Sequence, residues 1–273
     1  MRVIPAEKIR DTVRDLSIRA NLFLRRDILK ILKLAYKAER NIRAKEILGA
    51  IIKNASVARS KKIAICQDTG MPIVFVEVGQ EVKVTGDLKL AINKGVESGY
   101  RMGNLRNSIV TDPLHRTTCQ YSPAVIHTEI VKGSKIKLTV FPKGFGCENK
   151  SQLKMFNPTA KLNEIKKFII DSVKNAGADA CPPYIVSVGI GGTADYASLL
   201  AKKALLKPLN RKKTALEREL LKEINALNIG PMGLGGKTTA LAVNIEKYPT
   251  HIAGLPVAVN INCHVLRIAK AIL

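Results

Sequence analysis

The chain of 273 residues contains no tryptophan, and aromatic residues make up only 4% of it. Its core must therefore be built from the aliphatic side chains that dominate its 46% hydrophobic content. No stretch approaches the roughly 18 consecutive apolar residues that a membrane-spanning helix requires. Charged residues from Arg2 to Arg10 also interrupt the N-terminal segment, which excludes the apolar core of a secretory signal peptide. We therefore expect a soluble, cytoplasmic protein that does not enter membranes.

Paired cysteine motifs are also missing, because no Cys-x-x-Cys occurs. The five cysteines are far apart in the sequence, at Cys66, Cys119, Cys147, Cys181 and Cys263. An odd, dispersed set without a signal peptide argues against a disulfide framework and excludes a zinc ribbon. Thiols from distant positions can still converge on one metal cluster.

Acidic residues are scarce: 22 Asp and Glu stand against 45 Lys and Arg, which gives a net charge of +23. Such an excess can attract nucleic acid, an anionic substrate or an acidic partner. The basic residues are spread along the chain, and the longest run is Arg211-Lys212-Lys213. No RNA-binding aromatic motif, KH loop or zinc finger accompanies them, so nucleic acid is not the favoured partner. A basic nucleic-acid-binding protein with a structural cluster remains the alternative from a different functional class.

Hydrophobic periodicity predicts an α+β fold. Helical spacing covers residues 5 to about 58, and further helices are predicted at 87–102, 159–175, 193–206 and 213–227, with a short C-terminal helix after Cys263. Strands are predicted at 73–78, 81–85, 124–141 (a hairpin), 184–188, 241–246 and 256–261. Gly79 indicates a second hairpin that joins 73–78 to 81–85. We expect one domain over residues 1–273, with a helical N-terminal part of about 1–60 followed by mixed helices and antiparallel hairpins. No internal repeat is evident.

The stretch with the densest set of reactive and polar side chains is Ala64–Pro72. It places a thiol, an amide, a carboxylate and a hydroxyl on four consecutive residues, Cys66 to Thr69. Gly70 and Pro72 prevent a helix from continuing, and a buried strand follows, so the cluster lies on a loop that enters a sheet. Loops on a rigid scaffold are where functional side chains concentrate. The alternative is a turn with a capping Asp and Thr and an inert, buried cysteine.

Two glycine-rich segments resemble nucleotide-binding motifs but depart from them. Gly189–Ala194 fits G-x-G-x-x-A between a strand and a helix, yet a loop stands where the second strand and its acidic residue should be. Gly233–Thr238 resembles the end of a P-loop, but Pro231 replaces the required first glycine. Clustered backbone N–H groups in either segment can still bind carboxylates.

Six segments, taken in order along nearly the whole chain, resemble one family. They are Ile65–Gly70, Leu105–Val110, Pro142–Ser151, Cys181–Thr193, Gly230–Thr239 and Thr250–Cys263. This combination is similar to the alpha subunit of the class I, iron–sulfur fumarate hydratase/L-tartrate dehydratase family.

The resemblance implies a [4Fe–4S] cluster held by Cys66, Cys181 and Cys263, with one iron open to substrate. The sequence itself does not choose among the possible triples of thiols, and the resemblance leaves Cys119 and Cys147 as spare cysteines. The reaction it implies is the reversible addition of water across the double bond of a C4 dicarboxylate. Fumarate hydration to malate is the favoured case, and L-tartrate dehydratase and mesaconate hydratase are the alternatives.

Site roles follow from the same resemblance. Asp68 matches the catalytic base or its partner, and the substrate-binding positions are Gln67, Arg106, Gly144, Gly146 and His251. The planar guanidinium of Arg106 suits a carboxylate, and the two glycines let backbone N–H groups approach the substrate. Each assignment has a structural alternative: a loop-capping acid for Asp68, a surface ion pair for Arg106 and a structural histidine for His251.

The resemblance also predicts a partner. Single-chain relatives continue well past the third cysteine into a second domain, whereas only a short segment follows Cys263 here. We expect a separate beta subunit to supply the remaining substrate-binding residues, in a heterotetramer of two alpha and two beta subunits or around a homodimer of alpha subunits.

Overall fold

The computed structural model describes residues 1–273. Its helices, in chain order, are α1 (Ala6–Leu22), α2 (Arg26–Ala38), α3 (Ile42–Lys61), α4 (Leu88–Met102), α5 (Phe145–Glu148), α6 (Leu162–Ala176), α7 (Ala194–Leu205) and α8 (Ala215–Ala226). Its strands are β1 (Arg2–Pro5), β2 (Met71–Gly79), β3 (Val82–Thr85), β4 (Ile109–Val110), β5 (Cys119–Gln120), β6 (Val125–Val131), β7 (Ile136–Lys143), β8 (Gln152–Phe156), β9 (Tyr184–Gly192), β10 (Ala240–Thr250), β11 (Leu255–Asn262) and β12 (Ala269–Ile272). The predicted α+β class and the helical N-terminal region are confirmed. No helix combines the length and the apolar character needed to cross a membrane.

The chain divides into two compact units. The first unit contains Met1–Leu24, Asn54–Phe145 and Arg267–Leu273, and the second contains Arg25–Lys53 and Gly146–Leu266. Each unit has a four-stranded sheet and its own aliphatic core. In the first unit, α1 and α4 bury apolar residues at helical spacing against β2 and β7. In the second, α6 and α8 cover β9, β10 and β11.

The sheet of the first unit has the order β12-β7-β2-β6. The hairpin predicted at 124–141 is therefore wrong as a pairing, because β2 lies between β6 and β7 and pairs with both. The physical reason is burial: Ile73 to Val76 are at most 5% exposed, so β2 needs cover on both faces and takes a central position. Strand β6 is largely exposed and forms the edge.

The hairpin predicted around Gly79 is also wrong, since β3 pairs in parallel with β1, a strand that the sequence pattern did not indicate. The turn after β2 instead bonds to the β6–β7 connection, with Gly79 N donating to Lys135 O (2.9 Å) and Gln80 N to Val131 O (2.8 Å). The predicted C-terminal helix is wrong as well. Ala269–Ile272 forms β12, whose backbone groups pair with β7 at the sheet edge.

The second unit repeats this arrangement in the order β10-β9-β11-β8. In both sheets a central strand (β2 or β9) has a parallel neighbour on one side and an antiparallel neighbour on the other, with a further antiparallel strand beyond. The sequence shows no repeat, but the topology does. In each unit the loop before the central strand and the loop after its antiparallel neighbour lie at the same sheet end.

The glycine-rich segment at the end of β9 serves packing. A Cβ on Gly189 would lie 2.0 Å from the carbonyl oxygen of Ala197 in α7, and one on Gly191 would lie 1.9 Å from that of Tyr248. Helix α7 and strand β10 can therefore approach β9 only because side chains are absent here. Close packing therefore explains these glycines, and dinucleotide binding is not needed to account for them.

A buried carboxylate fixes the start of α8. Thr214 caps the helix, and the Glu217 carboxylate accepts hydrogen bonds from Thr214 N (2.8 Å) and from Ile245 N (2.8 Å) in β10. It also forms an ion pair with Arg211. Burial alone would raise the pKa of Glu217, but the Arg211 guanidinium and these N–H donors outweigh burial and lower the pKa to about 2.

This pKa predicts an acid-dependent loss of stability. Because the folded-state pKa lies below that of the unfolded chain, ionised Glu217 contributes its full stabilisation above about pH 5 and loses it as the pH falls towards 2. Glu217→Gln should lower the free energy of unfolding by about 3 kcal/mol at pH 7 and much less near pH 3. Denaturant titrations at both pH values measure this difference. Glu219→Gln is the control, because the Glu219 side chain is exposed and an ion pair with one exposed partner, here with Lys166, contributes at most about 1 kcal/mol. A Glu217→Gln effect of equal size at both pH values would contradict the assignment.

Candidate active site

The predicted site residues of the first unit meet at one end of its sheet. Cys66, Gln67 and Asp68 lie in the loop before β2, and Gly144 directly follows β7. Met71 pairs with Lys143, so antiparallel pairing brings these two loops together. The structure therefore groups residues that are 76 positions apart in the sequence, Asp68 and Gly144.

The Asp68 carboxylate is held by two backbone donors. Its Oδ1 accepts a hydrogen bond from Gly70 N (2.9 Å), and its Oδ2 accepts one from Phe145 N (2.8 Å). Asp68 therefore does cap its own loop, as the structural alternative predicts. The side chain stays half-buried, however, so the carboxylate is oriented without being closed off. A fixed, accessible carboxylate is what a proton-transfer group requires.

Arg106 is tied to the same loop through its backbone. The Thr69 hydroxyl accepts a hydrogen bond from Arg106 N (3.0 Å), and Thr69 itself is 2% exposed. The Arg106 side chain is exposed and makes no ion pair within the chain, so its guanidinium is available for an anion. Gln67 is also exposed, and its Oε1 lies 3.9 Å from the Cys66 Sγ. The loop that carries the Gln67 amide and the Asp68 carboxylate is thus tied to the backbone of a residue whose cationic side chain is available.

The second unit builds its sheet end in the same way. Cys181 lies in the loop before β9, Cys263 directly follows β11, and Ile185 pairs with Asn262. Cys147 joins the two loops: its thiol donates to Ala180 O (3.4 Å) and accepts from Cys263 N (3.1 Å). At 5% exposure, Cys147 is a packing residue between the chain segments that carry the other two thiols.

His264 adds a second tie between these loops. Its Nδ1 lies 3.1 Å from the carbonyl oxygen of Cys181, and because a carbonyl only accepts, Nδ1 carries the proton. Cys181 itself adopts a left-handed backbone conformation (φ 56°). Such strain in a non-glycine residue costs free energy and is typical of functional loops that their surroundings hold in place. The sequence pattern did not indicate His264; its position beside Cys263 was the available signal.

Side chains from β11 and α7 hold the glycine-rich loop before β8 in place. Asn260 in β11 donates to the Glu148 carboxylate (3.0 Å) and to the Ser151 hydroxyl (2.8 Å). Glu148 also pairs with Lys202 in α7. At Gly146 a Cβ would meet no atom of the chain closer than 3.9 Å, so the fold itself does not require glycine there.

His251 does not join this group. It is exposed in the turn between β10 and β11, where its Nδ1 accepts a hydrogen bond from Ala253 N (3.2 Å). Thr250 donates to Gly192 O (2.9 Å), which places this turn at the C-terminal end of β9, whereas Cys181 precedes its N-terminal end. Strand β9 has nine residues, which at about 3.3 Å per residue separates the two ends by roughly 26 Å.

Thiols rather than disulfides are present at all five cysteines. Cys66, Cys181 and Cys263 are half-buried, Cys119 is exposed and Cys147 is buried. Neither unit by itself assembles three His, Cys, Asp or Glu side chains around a position for one metal ion.

Comparison with known proteins gives one consistent result. The sequence profile of the fumarate hydratase (Fumerase) family matches residues 10–272. A protein of Methanocaldococcus jannaschii, provisionally named L(+)-tartrate dehydratase subunit alpha, is 40% identical over 269 residues, which cover 94% of each chain. The L(+)-tartrate dehydratase subunit alpha of Escherichia coli K12 is 30% identical over 246 residues, which cover 87% of this chain and 81% of that one.

Proposed function

This chain belongs to the fumarate hydratase (Fumerase) family, and we propose on that premise that it is the alpha-type subunit of an enzyme that hydrates a C4 dicarboxylate reversibly. The observation that carries the proposal is the hydrogen bond that ties the backbone of Arg106 to the loop carrying Gln67 and Asp68, while the Arg106 side chain stays exposed and without an ion pair in the chain. We assign fumarate and malate as the substrate pair. L-tartrate is the second candidate, because both relatives described above carry that name, and mesaconate is the third.

The proposed cofactor is a [4Fe–4S] cluster held by Cys66, Cys181 and Cys263. Their half-buried thiols fit such a group, since thiolates are its usual protein ligands, while the Cys147 thiol is engaged with Ala180 and Cys263. When bound, a cluster with one open iron supplies a Lewis acid for the hydroxide that leaves or adds.

Asp68 is proposed to move the proton. Dehydration removes a proton from the carbon beside a carboxylate while hydroxide leaves the neighbouring carbon, and hydration reverses both transfers. The carboxylate of Asp68, or a group that it orients, accepts that proton. Its two backbone donors keep it in one orientation, so little reorganisation accompanies the transfer.

The remaining residues are proposed to hold the substrate. Arg106 offers a planar fork to one carboxylate, which suits two parallel hydrogen bonds, and Gln67 donates beside it. Backbone N–H groups at Gly144 and Gly146 stabilise the negative charge that develops on the reacting carboxylate. The open space at Gly146 is consistent with an atom of the substrate approaching the backbone there.

His251 is proposed to act on a different copy of the chain. Since it lies at the far end of β9 from Cys181, it does not reach a substrate bound beside that cysteine in its own unit. A contact between His251 and substrate therefore requires at least two alpha subunits, as in a heterotetramer of two alpha and two beta subunits or in an alpha homodimer.

A separate beta subunit is proposed to complete the site, because both relatives are named as alpha subunits. We predict that the chain, reconstituted anaerobically with iron and sulfide, turns over fumarate and L-tartrate poorly alone and rapidly after the candidate beta subunit is added. Loss of fumarate absorbance and formation of oxaloacetate measure the two reactions.

Asp68→Asn in the complex is the control and should lower kcat by roughly 10²- to 10⁴-fold. Full activity from the isolated chain would overturn the two-subunit proposal. A complex that is inactive on fumarate, L-tartrate and mesaconate would overturn the proposed reaction.

Substitution of the cysteines tests the ligand set. Cys66→Ser, Cys181→Ser and Cys263→Ser should each abolish iron retention, because a thiolate ligand is lost. Cys119→Ser should retain iron fully, and Cys147→Ser should retain it with a modest loss of thermal stability. Iron and sulfide analysis of the purified proteins provides the measurement. Loss of iron in Cys147→Ser as complete as in Cys181→Ser would show that the proposed triple is wrong.

Mixing of two inactive variants tests the role of His251. Differently tagged His251→Ala and Cys181→Ser chains are co-expressed with the beta subunit, and the mixed assembly is purified through both tags. In a two-fold assembly one of the two sites is then intact, so about half of the wild-type activity should return. Each variant assembled only with itself provides the control. No recovery in the mixed assembly would place His251 and Cys181 in the same copy.

A further inference from the structure

A buried polar cluster lies beneath the loop that carries Cys66 to Asp68, within the first unit. Its members are Asn21 at the end of α1, Tyr100 in α4 and Arg267 before β12, which are 0%, 1% and 3% exposed. None of them belongs to the site described above. Buried polar groups of this kind require partners, and the partners here are the loop itself.

Arg267 contacts the loop at the residue that matters most for the proposed reaction. Its Nη1 donates to the backbone carbonyl of Asp68 and to the Asn21 Oδ1 (3.1 Å). Its Nη2 lies over Gly144, where a Cβ would come within 3.2 Å of Nη2 and 3.1 Å of the Asp68 Oδ2. The guanidinium and the carboxylate thus share the space that the missing side chain of Gly144 leaves open.

The other members of the cluster hold the flanks of the loop. Asn21 O accepts a hydrogen bond from Ile65 N (3.0 Å), and the Tyr100 hydroxyl lies 3.0 Å from Thr69 O and 3.1 Å from Gly70 O. The loop is therefore fixed before Cys66, at Asp68 and after Asp68. Only the middle contact comes from a charged residue.

The charge of Arg267 is more than this packing needs. Its Nη1 bonds go to neutral oxygens, and its Nε is buried without a partner. A buried cation with so few bonds is costly unless a negative group lies nearby. The Asp68 carboxylate, which lies over the same glycine, is that group.

We propose that Arg267 is a positioning residue for proton transfer: it fixes the Asp68 backbone through its carbonyl and holds the Asp68 carboxylate in the orientation that the reaction uses. The proposal rests on the proposed function, because it takes Asp68 as the proton-transfer group. Arg267 is not expected to touch substrate, since it is 3% exposed beneath the loop.

Hydrogen exchange on the cluster-free chain tests the physical part independently of activity. Arg267→Gln should speed amide exchange in the Ala64–Pro72 segment by about 10- to 100-fold, because a charge-assisted hydrogen bond to Asp68 O is lost. Arg267→Lys should give an intermediate effect, since one ammonium cannot serve both Asn21 and Asp68. Arg101→Gln is the matched control: Arg101 lies in the same unit but is exposed and pairs with Glu97. Unchanged protection of the segment in Arg267→Gln would overturn the proposal.

Kinetics of the complete enzyme, chain plus beta subunit, test the functional part. Arg267→Gln should lower kcat by roughly 10- to 100-fold with KM changed little, as expected when a reacting group is misplaced but substrate contacts remain. Arg267→Lys should recover part of kcat, and iron content should match the wild type. Unchanged kcat, or a loss that follows iron content alone, would overturn the proposal.

If Arg267→Gln fails to fold, the exchange rates and kcat of Arg267→Lys and Asn21→Ala are compared with those of the wild type instead. A wild-type complex that is inactive on C4 dicarboxylates would refute the proposed function. The hydrogen-exchange result would then still test whether Arg267 fixes the Ala64–Pro72 loop.

Discussion

In each unit the placement of the candidate residues depends on one constraint, the antiparallel pairing of the central strand with its neighbour. When β2 runs against β7, and β9 against β11, the loop entering one strand and the loop leaving the other must share a sheet end. That geometry brings Asp68 to Gly144 in one unit and Cys181 to Cys263 in the other. It also explains why His251 stands apart, since it lies in a turn at the opposite end of its sheet.

Pairing places the loops, but buried polar groups orient them. The first unit uses Asn21, Tyr100 and Arg267 to hold the loop around Asp68. The second uses the Cys147 thiol and His264 to join the segments that carry Cys181 and Cys263. In both cases the bonds end on backbone atoms, so the side chains of the loops remain available for chemistry.

Much of this was predictable from the sequence, and the failures have a common cause. Local periodicity predicted the helices and most strands, because it reflects which face of each element is buried. It did not predict that β2 lies between β6 and β7, because strand pairing depends on partners distant in sequence. His264 and Arg267 were missed for the same reason: their roles come from backbone atoms that only the fold brings near. The resemblance supplied the thiols, Asp68 and Arg106, which periodicity does not distinguish.

The central proposal is that Cys66, Cys181 and Cys263 would hold an iron–sulfur cluster with one iron open to the dicarboxylate. Mössbauer spectroscopy of the reconstituted enzyme with iron-57 tests it most directly, recorded before and after addition of fumarate or L-tartrate. We expect one iron site that is distinct from the others, whose signal alone shifts when the substrate is added. Equivalent iron sites that do not respond to substrate, or no bound iron after reconstitution, would contradict it.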